Sequence, residues 1–519
     1  VCRAREPGLP RLGIGTRGRQ SPFPPPHVGV WGSARNAELA LGGNSDPSRA
    51  RRGPRSRELS WGSPTERRSI FPLRVPGFPF HPRAPMSPDT LLDPRFLAAQ
   101  LELLERRLAA GQRRVAPSSQ GLSLRELGTE KLRFCHLLAR ELRDGTFRLH
   151  PLRRTEVLLQ GKQRVLYLPE LVDAVVLGGL ARRLAALSSP RLLDCVHGFR
   201  PGRSPWTALH RLRAYLHEHR AQRPEPRQRG LWVVQRDIAH FGESIPTHPE
   251  SALWPLVAQL LEGVDSEEER QLLRRLLPDA CRPTVLRLDG SLEQLSKGLP
   301  TGSPVQQPLS NYYLTALDER LFALEGGLYL RFGDDVLFAH AERAVAEQAA
   351  ALLTRSLDAL ELSTAEHKSK DLYFTAPGRP CPAEAGPPWR PARHLEYLAA
   401  RVDFQGTFGM KLDKQRRLLT GLTRRITHTA RLGEREPATV IAALRGALDP
   451  RQPLADPLVS LLQRPYDDRG QLRHLDQLLR LRVAETLTGL RGVRAFRRLP
   501  PAALRQLGLP SLQHRRRRQ

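Results

Sequence analysis

Two adjacent aspartates, Asp334 and Asp335, follow Gly333 between two short apolar runs, Leu328 to Phe332 and Val336 to Phe338. Two such runs joined by a Gly-Asp turn read as a hairpin. Like charges this close raise each other's pKa, and a divalent cation removes the conflict. Hard oxygen donors with no neighbouring His or Cys favour Mg²⁺, with Mn²⁺ as a substitute. Taken alone, the turn also fits a solvated loop. A third carboxylate strengthens the case for chemistry, because Asp237 closes another apolar run, Val233-Val234-Gln235-Arg236-Asp237-Ile238. A strand with one aspartate beside a hairpin with two can hold two metal ions about 4 Å apart, the arrangement that drives in-line nucleotidyl transfer. Asp237 and Asp334 are 97 positions apart, so only the fold can bring them together.

The elements that must do this are visible as periodicities. Apolar residues recur at helical spacing from Leu91 to Leu108, Glu130 to Leu142, Leu171 to Leu187, Glu250 to Leu261 and Glu342 to Leu360. Val165 to Leu168 and Leu231 to Val234 read as strands. Beyond Leu412 the chain turns basic and helical, closing on Arg515-Arg516-Arg517-Arg518. Strands and helices mix without regular βαβ alternation, so the expected class is α+β.

Composition narrows the partners. The 519 residues carry 82 Lys+Arg against 53 Asp+Glu, a net charge of +29, which points to a polyanion such as nucleic acid. Only seven of those cations are lysine, and arginine is the better bidentate phosphate ligand. The five cysteines include no CxxC pair, which disfavours a zinc ribbon or a disulfide framework. No run of eighteen apolar residues and no signal-peptide core occurs, so no membrane partner and a cytoplasmic setting are expected. Residues 1–85 are rich in Pro, Gly, Ser and Arg, lack lysine, and are expected to be disordered. Val1 opens the chain, and Met86 stands where the apolar periods begin, so this extension is expected to be either a disordered leader or no part of the native protein. Its Gly13-Gly15-Gly18 pattern has no strand before it and no helix after it, which argues against a dinucleotide site.

Against that background an ordered series of motifs resembles the bacterial reverse transcriptases, which include group II intron, retron-like and phage-defence (antiviral) enzymes. Gly161-Lys162-Gln163-Arg164 with Tyr167-Leu168-Pro169 looks like the first fingers motif, and His197-Gly198-Phe199-Arg200-Pro201-Gly202-Arg203-Ser204 like the second. Asp237-Ile238-Ala239-His240-Phe241 resembles the palm motif with the first metal-binding aspartate. Gly298-Leu299-Pro300-Thr301-Gly302-Ser303-Pro304 and Leu309 to Leu314 resemble the next. Tyr329 to Asp335 stands where the family usually has Tyr-Ala-Asp-Asp. Glu366-His367-Lys368-Ser369 and Glu396-Tyr397-Leu398 resemble the last two.

The resemblance implies a right-hand polymerase fold with fingers, an antiparallel palm sheet and an α-helical thumb. The expected division is 1–85 extension, 86–160 N-terminal helical extension, 161–411 fingers and palm, and 412–519 thumb and basic tail. It implies two Mg²⁺ ions held by Asp237, Asp334 and the Ile238 carbonyl, with Asp335 completing the cluster. Lys162 and Arg164 would hold the triphosphate. Lys368 would protonate the leaving pyrophosphate, and Arg200 and Arg203 would contact the template backbone. Gly298 and Gly302 would let the backbone approach the nascent base pair. The implied activity is RNA-templated DNA synthesis, with an RNA template, a DNA primer or product and dNTPs as partners, and a dedicated structured RNA as a further candidate. Three features depart from the pattern. Gly242, beside Phe241, stands where an aromatic side chain usually excludes a ribose 2′ hydroxyl. Thr301 and Gln306-Gln307 alter the nucleotide-facing surface, and Phe332-Gly333-Asp334-Asp335 also suits RNA-dependent RNA polymerases. The alternatives are a template-independent or ribonucleotide-tolerant polymerase and a non-catalytic RNA-binding scaffold of the same fold.

Overall fold

The computed structural model describes residues 90–107, 128, 130–159, 162–222, 230–379, 381–382, 385–432, 435–448 and 464–513. The expected disordered extension, its glycine pattern and the arginine run 515–518 lie outside the described residues. Helices α1 (Pro94–Arg107) and α2 (Lys131–Asp144) pack together ahead of the hairpin β1 (Leu152–Leu159) and β2 (Lys162–Leu168). Next come α3 (Leu171–Ser188), α4 (Pro205–Gln222), β3 (Leu231–Asp237), α5 (Leu253–Leu261) and α6 (Glu267–Cys281). The chain continues through β4 (Thr284–Leu286), β5 (Leu292–Gln294), α7 (Gln306–Tyr313), α8 (Thr315–Phe322), β6 (Leu328–Phe332), β7 (Asp335–His340) and α9 (Arg343–Ala359). Short strands β8 (Lys370–Phe374), β9 (Arg390–Ala392), β10 (His394–Tyr397), β11 (Ala400–Asp403) and β12 (Phe408–Gly409) precede the helices α10 (Leu412–Leu432), α11 (Pro437–Ala447), α12 (Arg469–Thr488), α13 (Val493–Arg498) and α14 (Pro501–Gln506). The class is mixed α+β, as the patterning predicts.

Local chemistry explains several boundaries. Helix α6 starts where the Ser266 side chain accepts from the Glu269 amide at 3.3 Å and three glutamates fill the first turn, against the positive end of the helix dipole. Asp468 caps α12 in the same way, accepting from Gln471 N at 2.9 Å. Helix α2 stops at Gly145, whose φ of +73° suits the left-handed cap.

The five-stranded sheet, ordered β6-β7-β3-β8-β9, organises the molecule. Its first four strands are antiparallel, and β9 joins in parallel at the edge. Both faces are buried, so its strands read as nearly unbroken apolar runs whose alternate residues serve two different cores. Trp232, Val234, Tyr329, Val336, Phe338 and Tyr373 join one core with residues of α1–α3 and α5–α9. Leu231, Val233, Leu330, Leu337, Ala339 and Phe374 join the other with α4, the small sheet β10-β11-β12 and the C-terminal helices. A further sheet, β2-β1-β4-β5, carries the hairpin whose seven cross-strand pairs run from Arg153↔Leu168 to Leu159↔Lys162. The domain boundary expected at 160/161 therefore divides a hairpin, and β1 goes with β2 instead of with the preceding helices. No helix among the described residues is long and apolar enough to cross a membrane.

Candidate active site

Cross-strand register brings the three aspartates to one end of the central sheet. Asp237, the last residue of β3, lies opposite Asp335, the first residue of β7. Phe332 pairs with Asp335, which leaves Gly333 and Asp334 as a two-residue turn, with Gly333 at φ +64° as such turns require. The Ile238 amide donates to the Asp334 carbonyl at 3.0 Å, tying the turn to the end of β3. On the other side, Ala365 N donates to Asp237 O at 2.7 Å and Ala239 N to Ser363 O at 2.8 Å. This aligns the single 3-10 turn Glu366–Lys368 so that Lys368 Nζ donates to Asp237 Oδ1 at 2.6 Å.

The electrostatics are those of a cluster short of positive charge. Burial, then Asp237, raises the Asp334 carboxyl, while Lys368 and Arg164 pull it down. Burial, then Asp334 and Asp237, pushes Asp335 up to about 7, with Lys411 and Lys368 acting against the rise. A hard cation fits the donors in kind, since all are oxygens. The hydroxyl of Tyr397, buried and acted on by Asp335, has no hydrogen-bond partner. Among the described residues no group of three His, Cys, Asp or Glu side chains is disposed to hold an ion as it stands. The Asp237 carboxylate is closed instead by Lys368.

No protein-family model and no curated protein matches the chain. Solved structures of telomerase match at 9–11% identity. They include an apo Candida tropicalis form truncated from its C-terminal domain (TM-score 0.38, covering 50% of this chain and 55% of that one). A Candida albicans telomerase in complex with the TWJ fragment of telomeric RNA gives a TM-score of 0.40, with 70% and 64% covered. A structure of apo telomerase from Candida tropicalis gives 0.40, with 69% and 69% covered. The chain spans just over half the length of the first and 64% of the second. Likeness at this level fixes neither fold nor activity, so the reading rests on the chain's own geometry.

The remaining expected residues divide in two. Arg164, exposed on β2, acts electrostatically on Asp334. Lys162 pairs with Leu159 at the hairpin end, and its side chain lies outside the described residues. Gly302 has φ +103°, and a Cβ there would stand 3.2 Å from the Tyr167 carbonyl, so its close approach is to β2. Gly298 could carry no Cβ without striking the Glu243 backbone. Gly242 is buried at φ +77°, and the Gln306 carboxamide fills the place of its missing side chain. Phe241 packs partly buried against the core. Arg200 donates to three main-chain carbonyls, Leu193 at 2.7 Å, Ser189 at 3.1 Å and Val196 at 3.3 Å, which anchors its own loop. Arg203 pairs with the exposed Asp194 at 2.7 Å. Of two further residues acting on or acted on by Asp335, Lys411 lies in no motif, and Tyr397 lies within Glu396-Tyr397-Leu398 but carries no expected role. The one signal for Lys411 is its position at the start of the basic helices.

Proposed function

We propose that this chain is an RNA-directed DNA polymerase of the reverse-transcriptase type, related to the bacterial lineage its motifs resemble. The observation that carries the reading is the register of Asp237 against Asp335 across a turn that presents Asp334. It gathers three carboxylates, the first of them 97 positions ahead of the adjacent pair, at one end of the sheet. The central sheet would serve as palm, the β1-β2 sheet as fingers and α10–α14 as thumb. Asp237, Asp334, Asp335 and the Ile238 carbonyl would hold Mg²⁺, and Mn²⁺ in its place. The bound ions would supply charge neutralisation for the triphosphate and a lowered pKa for the primer 3′ hydroxyl.

The chain's own residues supply the rest. Lys368, which donates to Asp237 at 2.6 Å, would serve as a proton donor within the site were a cation to hold that carboxylate. Arg164, with Lys162 on the same hairpin, would meet the triphosphate. Arg203 is the template-facing arginine that a phosphate can recruit from its exposed partner, whereas Arg200 holds the loop in place. The partners are an RNA template, a DNA primer or product and dNTPs, with a dedicated structured RNA as a further one. A second reading, tolerance of ribonucleotides, is favoured by Gly242, whose side-chain space is closed only by the Gln306 carboxamide. Primer extension on an RNA template tests the assignment, with Asp334→Asn as the inactive control.

A further inference from the structure

Arg331 is the least expected residue in the sheet. It lies in β6 on the same face as Tyr329, and it is 0% exposed among apolar neighbours. A guanidinium has five N–H donors, and burying one unpaired is costly. Here all five are used. Nε donates to Asp318 Oδ1 at 2.7 Å and Nη2 to Asp318 Oδ2 at 2.6 Å. Nη2 also donates to Asn311 O at 3.1 Å, and Nη1 to Asn311 Oδ1 at 2.9 Å and to Gly333 O at 3.3 Å. The Tyr329 hydroxyl donates to Asp318 Oδ1 at 2.7 Å, so both oxygens of the aspartate are engaged.

The network reaches two places that matter for the proposed chemistry. Gly333 is the residue before Asp334, so one end of Arg331 grips the turn that presents the carboxylate. The other end reaches the 195–199 segment. Arg331 N donates to Cys195 O at 2.9 Å, His197 N donates to Arg331 O at 2.8 Å, and Asn311 Nδ2 donates to Gly198 O at 2.6 Å. Gly198 in turn lies so close to the Gly333 backbone that it has no room for a Cβ, and the Phe199 ring stands 6.2 Å from that of Phe332.

We propose that Arg331, clamped by Asp318 and Asn311, is a positioning residue that fixes the Gly333-Asp334 turn and couples it to the His197-Gly198-Phe199 segment. The functional part of this inference rests on the polymerase reading. A free-standing packing pair would need only Asp318, whereas the bonds to Gly333 and Asn311 tie the turn and the segment into one unit.

The test uses the full chain carrying Arg331→Lys, which keeps the charge but has three donors on one nitrogen and cannot serve Asp318, Asn311 and Gly333 together. Amide hydrogen exchange is measured in peptides spanning 195–204 and 328–338, beside single-nucleotide incorporation against Mg²⁺ concentration. The expected result is exchange about 10- to 100-fold faster in both peptides, with the rest of the sheet unchanged. The Mg²⁺ needed for half-maximal rate should rise about tenfold. A folded Arg331→Lys with exchange as in the wild type overturns the proposal. If that variant does not fold, the triple variant Tyr329→Phe, Arg331→Met, Asp318→Leu takes its place, because replacing a buried pair by apolar groups preserves stability more often than breaking it does. Loss of folding in both shows the network to be packing alone and also overturns the proposal. A wild type that incorporates no nucleotide, with faster exchange in the variant, removes the polymerase reading and leaves the coupling standing.

Discussion

At the scale of single residues, the acidic cluster makes a measurable trade between stability and the proposed activity. Asp335 titrates near 7 in the folded chain against an ordinary 3.8. A carboxyl raised on folding holds its proton more tightly when folded, so stability is undiminished below about pH 4 and falls by a few kcal/mol as pH rises towards 7. Asp335→Asn removes that penalty. In EDTA at pH 8 the variant should melt about 2–5 °C above the wild type, and at pH 4 the two should coincide. Thermal unfolding at the two pH values checks this, and equal melting at pH 8 would mean the cluster carries no such strain. The sugar-facing surface yields a second expectation. Gly242→Phe demands a side chain at φ +77° in the space of the Gln306 carboxamide, so it should depress all synthesis without changing the ratio of dNTP to rNTP use. Gln306→Ala empties that space and should raise relative rNTP incorporation about tenfold. Single-nucleotide incorporation of matched dNTP and rNTP by both variants decides it, and an unmoved ratio in Gln306→Ala would assign sugar selection elsewhere.

At the scale of elements, the loop between α3 and α4 behaves as a support for the acidic turn. His197 is buried there, bonded through Nδ1 to Thr207 Oγ1 at 2.8 Å, and burial with the nearby Arg203 and Arg200 pulls its pKa to about 4. A histidine kept neutral on folding contributes stability that is complete above about pH 6.5 and is lost as pH falls towards 4, up to about 3 kcal/mol. Melting temperature measured from pH 7 to 4 should therefore fall more steeply for the wild type than for His197→Gln, and parallel curves would contradict the assignment. The same loop shows what the sequence exposed and what it hid. Its motif was legible as a unit, and so were β3, β6, β7, α3 and α9, because their apolar runs are long or strictly periodic. The aspartates were legible because two of them break an apolar hairpin. Strand β1 was missed because Arg153, Arg154 and Glu156 interrupt its apolar residues, and its pairing with β2 only becomes visible in register. The strands β9 to β12 run two to four residues each, too short to carry a period, and are held by partners rather than by propensity. Arg331 lies within the apolar run Leu328 to Phe332, where nothing in the sequence marks its partners. Its burial is understandable only with Asp318 and Asn311, which arrive from the two helices before it.

At the scale of the whole molecule, the charge of +29 and the acidic cluster make opposite demands, one drawing in a polyanion and the other requiring cations at the point of reaction. RNA binding by the full chain should therefore be strongly electrostatic. If 6–10 phosphates are neutralised, affinity should drop about 10³- to 10⁵-fold between 50 and 200 mM salt, and a filter-binding series would show a flat response if the arginines face solvent to no purpose. The two cores on either face of one sheet hold the C-terminal helices on one side and helices α1–α3 and α5–α9 on the other against the same strands, so a duplex gripped by the C-terminal helices would be referred to the Asp237–Asp335 end. The most direct test of that arrangement is extension of a DNA primer on an RNA template with dNTPs and Mg²⁺, comparing the wild type, the wild type in EDTA and a folded Asp334→Asn. Template-dependent DNA should appear only in the first, with the variant lower by a factor of about 10³ or more, as loss of several kcal/mol of charge stabilisation requires. Extension by Asp334→Asn equal to the wild type, or no incorporation by the wild type under any metal or template, would contradict the account.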